Sequence, residues 1–424
     1  MSTRTRNLRW WIGSLLFAST VINYVDRQTV SLLAPELRRI YHWTNTDYAS
    51  LAIAFRIAYA VGQTLFGRVL DRIGTRAGLT LTVACYSAVS ILTSLANSLT
   101  GFLGFRALLG LTESGNWPGA TKAVSEWFPG RERGLATAFF DSGSSIGGAI
   151  APFLIYAVYT HLGLHLSFVV PGVLGLGWLI VWRRFYHSPE NHPGISSDEL
   201  ALVLSDREHG DAGCNAPSAI RLLGQRKTWG VIVARAFTDP VWFFIADWFP
   251  LYLVSKGFTL KSGLFAFWIP FLAADLGNFF GGAVSGRLIA RGWPLVRSRK
   301  AVAVLGGSGM LLIIPTVFSH DLWSITSLFA SATFCYGCFT TIANVLPADL
   351  YEGRSVASIS GMSGTASSAG TVLAFLLIGY LADARTSETT HAFDPIVIVA
   401  GLIPFAGMVL LLLLIKEPHP RRQV

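Results

Sequence analysis

Charged residues are scarce in this chain of 424 residues: Asp, Glu, Lys and Arg make up 13% of it, whereas hydrophobic residues make up 52%. An average soluble domain has roughly a quarter charged residues, so this chain has too little polar material to cover the surface of a soluble enzyme. The same balance excludes a disordered, fibrous or nucleic-acid-binding chain. A net charge of +9 is then more typical of a membrane protein with basic cytoplasmic loops.

Cysteines and catalytic motifs are also few. The four cysteines form no pattern typical of a disulfide framework. Cys335 and Cys338 are spaced like a metal or redox pair, but they lie in an apolar run without a nearby histidine, which favours helix packing. The sequence has no nucleotide-binding motif, metal-binding cluster or nucleophilic triad. We therefore expect neither an enzyme nor a bound metal or cofactor.

Long apolar runs, in contrast, dominate the sequence. A bilayer core about 30 Å thick requires about 20 apolar residues in a helix. Twelve segments satisfy this requirement, near residues 10–34, 47–69, 78–98, 101–122, 134–160, 166–186, 229–255, 262–290, 301–319, 322–346, 355–382 and 394–415. The basic residues 1–9 precede the first run as in a signal peptide, but the polar residues 23–27 interrupt it and no small-residue cleavage site follows. We therefore predict an all-α membrane protein with an uncleaved first helix.

The longest polar stretch separates six of these segments from the other six. Its prolines and glycines are typical of a loop, and the even split predicts two six-helix repeats. We assign residues 1–186 to an N-terminal six-helix bundle, 187–228 to a cytoplasmic central loop and 229–424 to a C-terminal six-helix bundle.

Lysine and arginine predict the orientation of these segments, because basic residues concentrate in cytoplasmic loops. With the amino terminus inside, most of the 33 Lys and Arg residues fall in cytoplasmic segments. The outside segments hold only Arg38, Arg39, Lys256, Lys261 and Arg385. Both termini are therefore expected to be cytoplasmic.

The loop after the second segment carries a recognisable motif. Residues 67–76 read Gly-Arg-Val-Leu-Asp-Arg-Ile-Gly-Thr-Arg, which resembles the loop motif of the major facilitator superfamily. In that family the loop latches neighbouring helix ends when the transporter faces outward. The resemblance implies this role for Gly67, Asp71, Arg72, Gly74 and Arg76. These residue types suit the role, because an aspartate can cap a helix end and glycines allow a tight turn. The alternative interpretation of residues 67–76 is a generic basic turn. The matching residues 282–287 lack the aspartate, so we expect a weaker latch there.

Further motifs are similar to the anion:cation symporter family within this superfamily. They comprise residues 23–27, 106–113 and 126–134 in the first half. Residues 234–244, 272–278 and 346–350 resemble bacterial hexuronate and galactonate-type proton symporters. The resemblance covers nearly the whole chain and implies the major facilitator fold, a small organic-anion substrate and coupling to protons.

Ionisable residues inside membrane helices are costly, so each is a functional candidate. The predicted segments contain Asp26, Arg27, Arg56, Arg106, Glu113, Asp141, Arg235, Asp239, Asp247 and Asp275. All nine histidines fall in loops or termini, so a proton relay has to use carboxylates. We predict that Asp26 and Glu113 couple protons, and the family resemblance implies the same. Arg56, Asp141, Arg235, Asp239, Asp247 and Asp275 receive no role, and an internal ion pair is one interpretation of Arg235 and Asp239.

The arginines are candidates for binding an anion. Asp26 and Arg27 are adjacent and point about 100° apart on a helix, so they cannot both face one ligand. We assign Arg27 to the substrate carboxylate, because its planar guanidinium can bind a carboxylate bidentately. Arg106 and Glu113 lie on nearly the same face, about 10.5 Å apart along the axis, and Asn116 follows on that stripe. The alternative is a static buried network, in which Arg106 chiefly tunes Glu113.

Neutral polar and aromatic residues complete the predicted substrate site. An aromatic face suits the apolar side of a sugar ring, and phenol and amide groups both donate and accept hydrogen bonds. We expect the substrate ligands to be Tyr24, Tyr59, Gln63, Asn116, Ser144, Trp242, Asn344 and Ser363, together with Arg27 and Arg106. Helix packing is the alternative for Tyr59 and Gln63. Asp141 departs from the family pattern, where asparagine is commoner.

These observations predict a proton-coupled symporter of the bacterial inner (plasma) membrane that imports a hexuronate or related sugar-acid anion by alternating access. The proton gradient would drive it without a cofactor, and we expect a monomer in the lipid bilayer with no nucleic-acid partner. Two alternatives stay open. The cargo could be another organic anion, such as an aldonate or an aromatic acid, or the chain could be a transporter-like membrane sensor.

Overall fold

The computed structural model describes residues 7–205, 217–258, 260–383 and 394–417, and every regular element in these ranges is a helix. The α-helices are α1 (Leu8–Leu32), α2 (Ala34–Tyr41), α3 (Asn45–Ile73), α4 (Thr75–Thr93), α5 (Leu99–Glu113), α6 (Asn116–Trp127), α7 (Gly130–Leu162), α8 (Leu164–Phe185), α9 (Ser197–Leu204), α10 (Ala219–Leu223), α11 (Arg226–Ser255), α12 (Leu260–Ala290), α13 (Leu295–Gly309), α14 (Leu322–Leu350), α15 (Val356–Asp383) and α16 (Asp394–Leu414). Three short 3₁₀ helices are Pro189–Asn191, Met310–Phe318 and Gly353–Ser355.

Helices occupy the predicted apolar segments, which confirms the all-α class. Within the described residues, seven helical stretches are long and apolar enough to cross a membrane: Thr46–Ile73, Thr75–Thr93, Gly130–Leu162, Leu164–Phe185, Leu295–Phe318, Leu322–Leu350 and Asp394–Leu414. The number of twelve crossings and the cytoplasmic side of the termini stay predictions, as do the domain boundaries.

The predicted segment 101–122 is divided into two helices. Helix α5 ends at Glu113 and α6 begins at Asn116, whereas the sequence predicted a single span whose helix is weakened at Pro118. Pro118 explains the break, because it has no N–H to donate to the carbonyl of Ser114 and its ring crowds that carbonyl. A Cβ at Gly115 would lie 2.5 Å from Thr82 Oγ1, so only glycine allows this close approach to α4. Glu113 is therefore the last residue of its helix.

The chain forms two compact units. Unit 1 comprises Met1–Pro129, Phe139–Pro217 and Tyr351–Thr365, and unit 2 comprises Gly130–Ala138, Ser218–Leu350 and Ala366–Val424. In unit 1 the core around Val25, Trp43, Phe102 and Phe168 packs α1 against α2, α5 and α8. In unit 2 the core around Phe244, Phe249, Tyr252 and Phe329 joins α11 to α14.

One further contact holds the beginning of α1 in unit 1. The backbone N–H groups of Leu8 and Arg9 donate to the two carboxylate oxygens of Glu199, each over 3.0 Å. The Arg9 guanidinium also donates to Glu199 over 2.9 Å. The first N–H groups of a helix have no partner inside the helix, so the short helix α9 of the predicted central loop caps α1.

Candidate functional site

The polar segment of α1 places an arginine against the end of α5. Arg27 Nε and Nη2 lie 3.2 and 3.1 Å from Glu113 Oε2, and Nη2 also donates to Asn23 Oδ1 over 3.2 Å. The Glu113 side chain is fully buried, whereas 24% of the Arg27 side chain is exposed. The structure therefore brings together the residue predicted to bind the anion and one of the two predicted to couple protons.

Aromatic rings enclose the Arg27 guanidinium. Its Cζ lies 4.9 Å from the ring centroid of Tyr24, 5.2 Å from that of Phe55 and 4.7 Å from that of Tyr59. Rings at these distances attract a cation through their negative faces. Tyr24 and Tyr59 thus lie beside Arg27, while their role as substrate ligands stays a prediction. Sequence reasoning missed Phe55. Its spacing of four residues from Tyr59, which places both rings on one face of α3, is the signal that could have found it.

Arg106 contacts the same phenyl ring, with its Cζ 4.6 Å from the Phe55 centroid. Only 5% of this residue is exposed. Among the described residues no group accepts a hydrogen bond from its Nε or Nη1. Buried polar groups are normally hydrogen-bonded, so a buried cation with two unpaired donors is suited to binding an anion.

Asp26 faces a different helix from Arg27, as expected for adjacent helical residues. The residue is 3% exposed, and its Oδ1 accepts a hydrogen bond of 2.7 Å from Ser90 Oγ on α4. Its Oδ2 and Glu113 Oε1 have no hydrogen-bond partner in the described part of the chain. Sequence reasoning missed Ser90, because the same helix also carries Thr82, Ser87 and Thr93 and nothing in its spacing singles out one hydroxyl.

The other predicted substrate ligands of unit 1 have contacts of their own. Ser144 Oγ donates to the carbonyl of Asp141 over 2.7 Å, within its own helix. Asn116 Nδ2 donates to Thr20 Oγ1 over 3.4 Å. Gln63 packs so closely against Gly364 that a Cβ there would overlap its side chain, and Ser363 donates to the carbonyl of Ser360 over 2.8 Å. Their role as sugar ligands stays a prediction.

Unit 2 presents a different set of polar groups. Trp242 stacks on Tyr336, with ring centroids 5.4 Å apart. Asn344 is 7% exposed, and its Oδ1 has no partner within the described ranges. The side chain of Asp247 lies outside the described residues.

The predicted ion pair on α11 is present. Arg235 Nε donates to Asp239 Oδ2 over 3.1 Å, and Ser367 Oγ donates to the same oxygen over 2.5 Å. This arginine is therefore neutralised within its own helix.

The loop motif of unit 1 caps another helix. Asp71 Oδ1 accepts from the N–H of Ala357 over 3.2 Å, and Oδ2 accepts from the N–H of Ser358 over 2.7 Å. Both N–H groups belong to the first turn of α15, where a negative charge is favourable. Lys122 lies 3.1 Å from Asp71 Oδ1 and also donates to the carbonyl of Gly353. Sequence reasoning missed Lys122.

The remaining residues of the loop motif contribute unequally. A Cβ at Gly67 would overlap the carbonyl oxygen of Ala357, so glycine permits the approach of α15. Gly74 has φ +84°, a conformation that other residues adopt only with strain. Arg76 donates to the carbonyl of Arg183, whereas Arg72 is exposed.

Unit 2 has a comparable charge cluster at the end of α14, which the sequence did not predict. Arg299 is almost completely buried, and its Nε donates to Asp349 Oδ2 over 2.7 Å. Its other nitrogens donate to Ser285 Oγ over 2.8 Å and to the Gly130 carbonyl over 2.7 Å. Arg133 Nη1 lies 3.3 Å from Asp349 Oδ1. Asp349 thus supplies the carboxylate that the loop of residues 282–287 lacks.

Comparisons with known proteins place these features in a family. The model of the Major Facilitator Superfamily matches residues 16–298 and 295–424. The hexuronate transporter of Escherichia coli (strain K12) is 30% identical over 413 residues, covering 95% of this chain and 93% of the relative. The galacturonate transporter of Dickeya chrysanthemi is 33% identical over 318 residues, covering 74% and 91%.

The fold is also similar to that of a solved structure, the proton:xylose symporter XylE bound to 6-bromo-6-deoxy-D-glucose. The TM-score is 0.72 with 12% sequence identity, and the match covers 96% of each chain. At this identity the likeness concerns the helical fold alone.

Proposed function

Because the chain belongs to the major facilitator superfamily, we propose that it is a proton-coupled symporter that imports a hexuronate or related sugar-acid anion by alternating access. The two relatives named for hexuronate and galacturonate support this class of cargo. We further propose twelve membrane crossings, cytoplasmic termini and a monomer in the bacterial inner membrane. The proton gradient would drive transport without a cofactor. The distribution of lysine and arginine supports that topology.

The observation that carries the proposal is the ion pair between Arg27 and Glu113, because a substrate carboxylate would compete with Glu113 for Arg27. Glu113 holds this guanidinium through one carboxylate oxygen, and a substrate carboxylate needs the same donors. Protonation of Glu113 removes its charge and releases Arg27 to the incoming anion. Loss of that proton on the other side of the membrane lets Glu113 recapture Arg27, and the substrate leaves.

Asp26 and Arg106 complete the cycle. Arg106 contacts the same Phe55 ring as Arg27 and adds positive charge for the anion. A second proton on Asp26 removes a buried negative charge that repels the substrate. We expect hydroxyl groups of the sugar acid to be bound by Tyr24, Tyr59, Gln63, Asn116, Ser144 and Ser363 of unit 1. Trp242 and Asn344 of unit 2 are further predicted ligands.

Uptake into proteoliposomes tests this proposal. Labelled glucuronate and galacturonate are supplied with and without an imposed inward proton gradient, and we expect accumulation only with the gradient. Glu113→Gln should still exchange substrate across the membrane but should not concentrate it, because its amide cannot release a proton. If this variant concentrates substrate as well as the wild type does, Glu113 is not the coupling group.

A second cargo class is an aldonate, since Arg27 and Arg106 recognise a carboxylate whatever sugar chain carries it. Labelled galactonate in the same assay distinguishes the two. Accumulation of galactonate without either uronate would assign the aldonate.

A further inference from the structure

The hydroxyl of Ser90 lies between two acceptors on different helices. Ser90 is 1% exposed, and its Oγ lies 2.7 Å from Asp26 Oδ1 on α1 and 2.9 Å from the carbonyl oxygen of Phe168 on α8. A serine hydroxyl has one hydrogen to donate and two lone pairs that accept. Ser90 can therefore satisfy only one of these two oxygens at a time.

The protonation state of Asp26 decides which oxygen receives that hydrogen. An ionised carboxylate is the stronger acceptor, so Ser90 then donates to Asp26. A protonated Asp26 can donate its own hydrogen to Ser90 Oγ, which frees the serine hydrogen for the Phe168 carbonyl. Ser90 thus keeps a hydrogen bond with Asp26 in both states without movement of a heavy atom, and the only change is the transfer of one proton to Asp26 and a rotation of the serine hydroxyl.

Several charged or titratable groups also face Asp26. Arg27 lies on its own helix, Arg106 and Glu113 lie on α5, and Tyr86 lies on α4. Of these groups, Arg27, Arg106 and Glu113 act on Asp26 through their charges. Within the described residues, the hydrogen bond that Asp26 accepts comes from Ser90, so the serine has an influence on this carboxyl that the other groups do not have.

We propose that Ser90 is a positioning residue for proton coupling. Its hydroxyl turns from Asp26 to the Phe168 carbonyl when Asp26 takes up a proton, so that α4 and α8 are bonded at this point only in the protonated state. The proton is taken up by Asp26 and later returned from it, and Ser90 keeps its own hydrogen throughout. The inference rests on the proposed function, because it requires Asp26 to gain and lose a proton in the cycle.

Ser87 provides a matched control on the same helix. It is also buried, at 0% exposure, and lies nearly one turn before Ser90. In the described part of the structure its hydroxyl has no hydrogen-bond partner. Replacing either serine by alanine removes the same atom from the same helix, but only one replacement removes a contact with Asp26.

Infrared difference spectroscopy of the reconstituted full chain across a pH titration tests the inference. Asp26→Asn identifies the carbonyl band of protonated Asp26 by removing it. In Ser90→Ala we expect this band to shift to higher frequency, because the acid group loses its hydrogen-bond partner. The midpoint of the Asp26 titration should also rise by up to about one pH unit in Ser90→Ala. The lost hydrogen bond stabilises the ionised carboxylate more than the neutral acid, because a hydrogen bond to a charged group is the stronger one. Ser87→Ala should change neither the band frequency nor the midpoint. Ser90→Thr keeps a hydroxyl group and should give the wild-type values of both.

The outcomes distinguish a failure of the role of Ser90 from a failure of the assignment of Asp26 as a proton-coupling residue. An unchanged band and midpoint in Ser90→Ala, beside a clear band in the wild type, would overturn the role of Ser90 alone. Absence of any Asp26-dependent band over the pH range of proton-driven uptake would instead overturn the assignment of Asp26. If Ser90→Ala does not fold, Ser90→Cys replaces it, because a thiol is a weaker donor. A smaller shift in the same direction is then expected, and an unchanged midpoint again overturns the proposal.

Discussion

Two buried arginine–carboxylate pairs, Arg27–Glu113 in unit 1 and Arg235–Asp239 in unit 2, differ in how they are built. Arg27 and Glu113 lie on different helices, 86 residues apart in sequence. Around them, polar atoms of Arg106, Asp26 and Glu113 itself have no hydrogen-bond partner among the described residues. Arg235 and Asp239 lie four residues apart on α11. A pair within one helix moves as a body, whereas a pair between helices can be opened. Buried charge alone is therefore a weaker functional signal than a buried pair that joins two elements.

Replacing each arginine by lysine should separate the two pairs most clearly. We expect Arg27→Lys to lower uptake by about 100-fold, because an ammonium cannot reproduce the planar bidentate geometry. Arg235→Lys should change uptake by less than about threefold, since a lysine still neutralises Asp239 over this spacing. Initial rates in proteoliposomes measure both, and equal losses would refute the distinction.

Removing one partner of the α11 pair should chiefly affect stability. Asp239→Asn leaves Arg235 without its countercharge, and breaking a buried pair costs about 3 kcal/mol. Replacing both residues, as in Arg235→Met with Asp239→Leu, should recover most of this loss while uptake persists. Thermal unfolding in detergent measures the first effect. Loss of uptake in a stable double variant would show that this pair is functional after all.

The charge clusters at the helix ends extend the comparison. We expect Asp71→Asn to raise hydrogen exchange of the Ala357 and Ser358 amides by about tenfold, as loss of about 1.4 kcal/mol implies. Asp349→Asn, which alters the cluster of unit 2, should leave those two amides unchanged. Exchange read by mass spectrometry on the α15 peptide decides this, and equal protection in both variants would contradict the capping role.

The smallest expected effect concerns the sugar hydroxyls. Tyr59→Phe keeps the ring over Arg27 but removes its hydroxyl, so the half-saturation concentration should rise about fivefold for the loss of about 1 kcal/mol. Tyr41→Phe is the control, because that hydroxyl donates to the Ala96 carbonyl in the core of unit 1. If the two variants behave alike, Tyr59 does not bind the substrate.

The sequence predicted what depends on local composition. Apolar runs indicated the helices. Asp26, Arg27, Arg106 and Glu113 became candidates for one site because charged residues are costly to bury inside membrane helices. Contacts between distant segments were not predictable, because periodicity on one helix does not tell which helix it faces. Thus the Ser90 contact with Asp26 and the Asp349 contact with Arg299 appear only in the structure.

The cap that Glu199 provides on α1 has a consequence for synthesis of the chain. The two residues that it joins, Leu8 and Glu199, are separated by 191 positions. At a translation rate of about 5–20 residues per second, the first helix waits roughly 10 to 40 seconds for this partner to leave the ribosome. The helix that carries Asp26 and Arg27 therefore enters the membrane before its N-terminal N–H groups are capped by Glu199, and this cap forms only at a late stage of biogenesis.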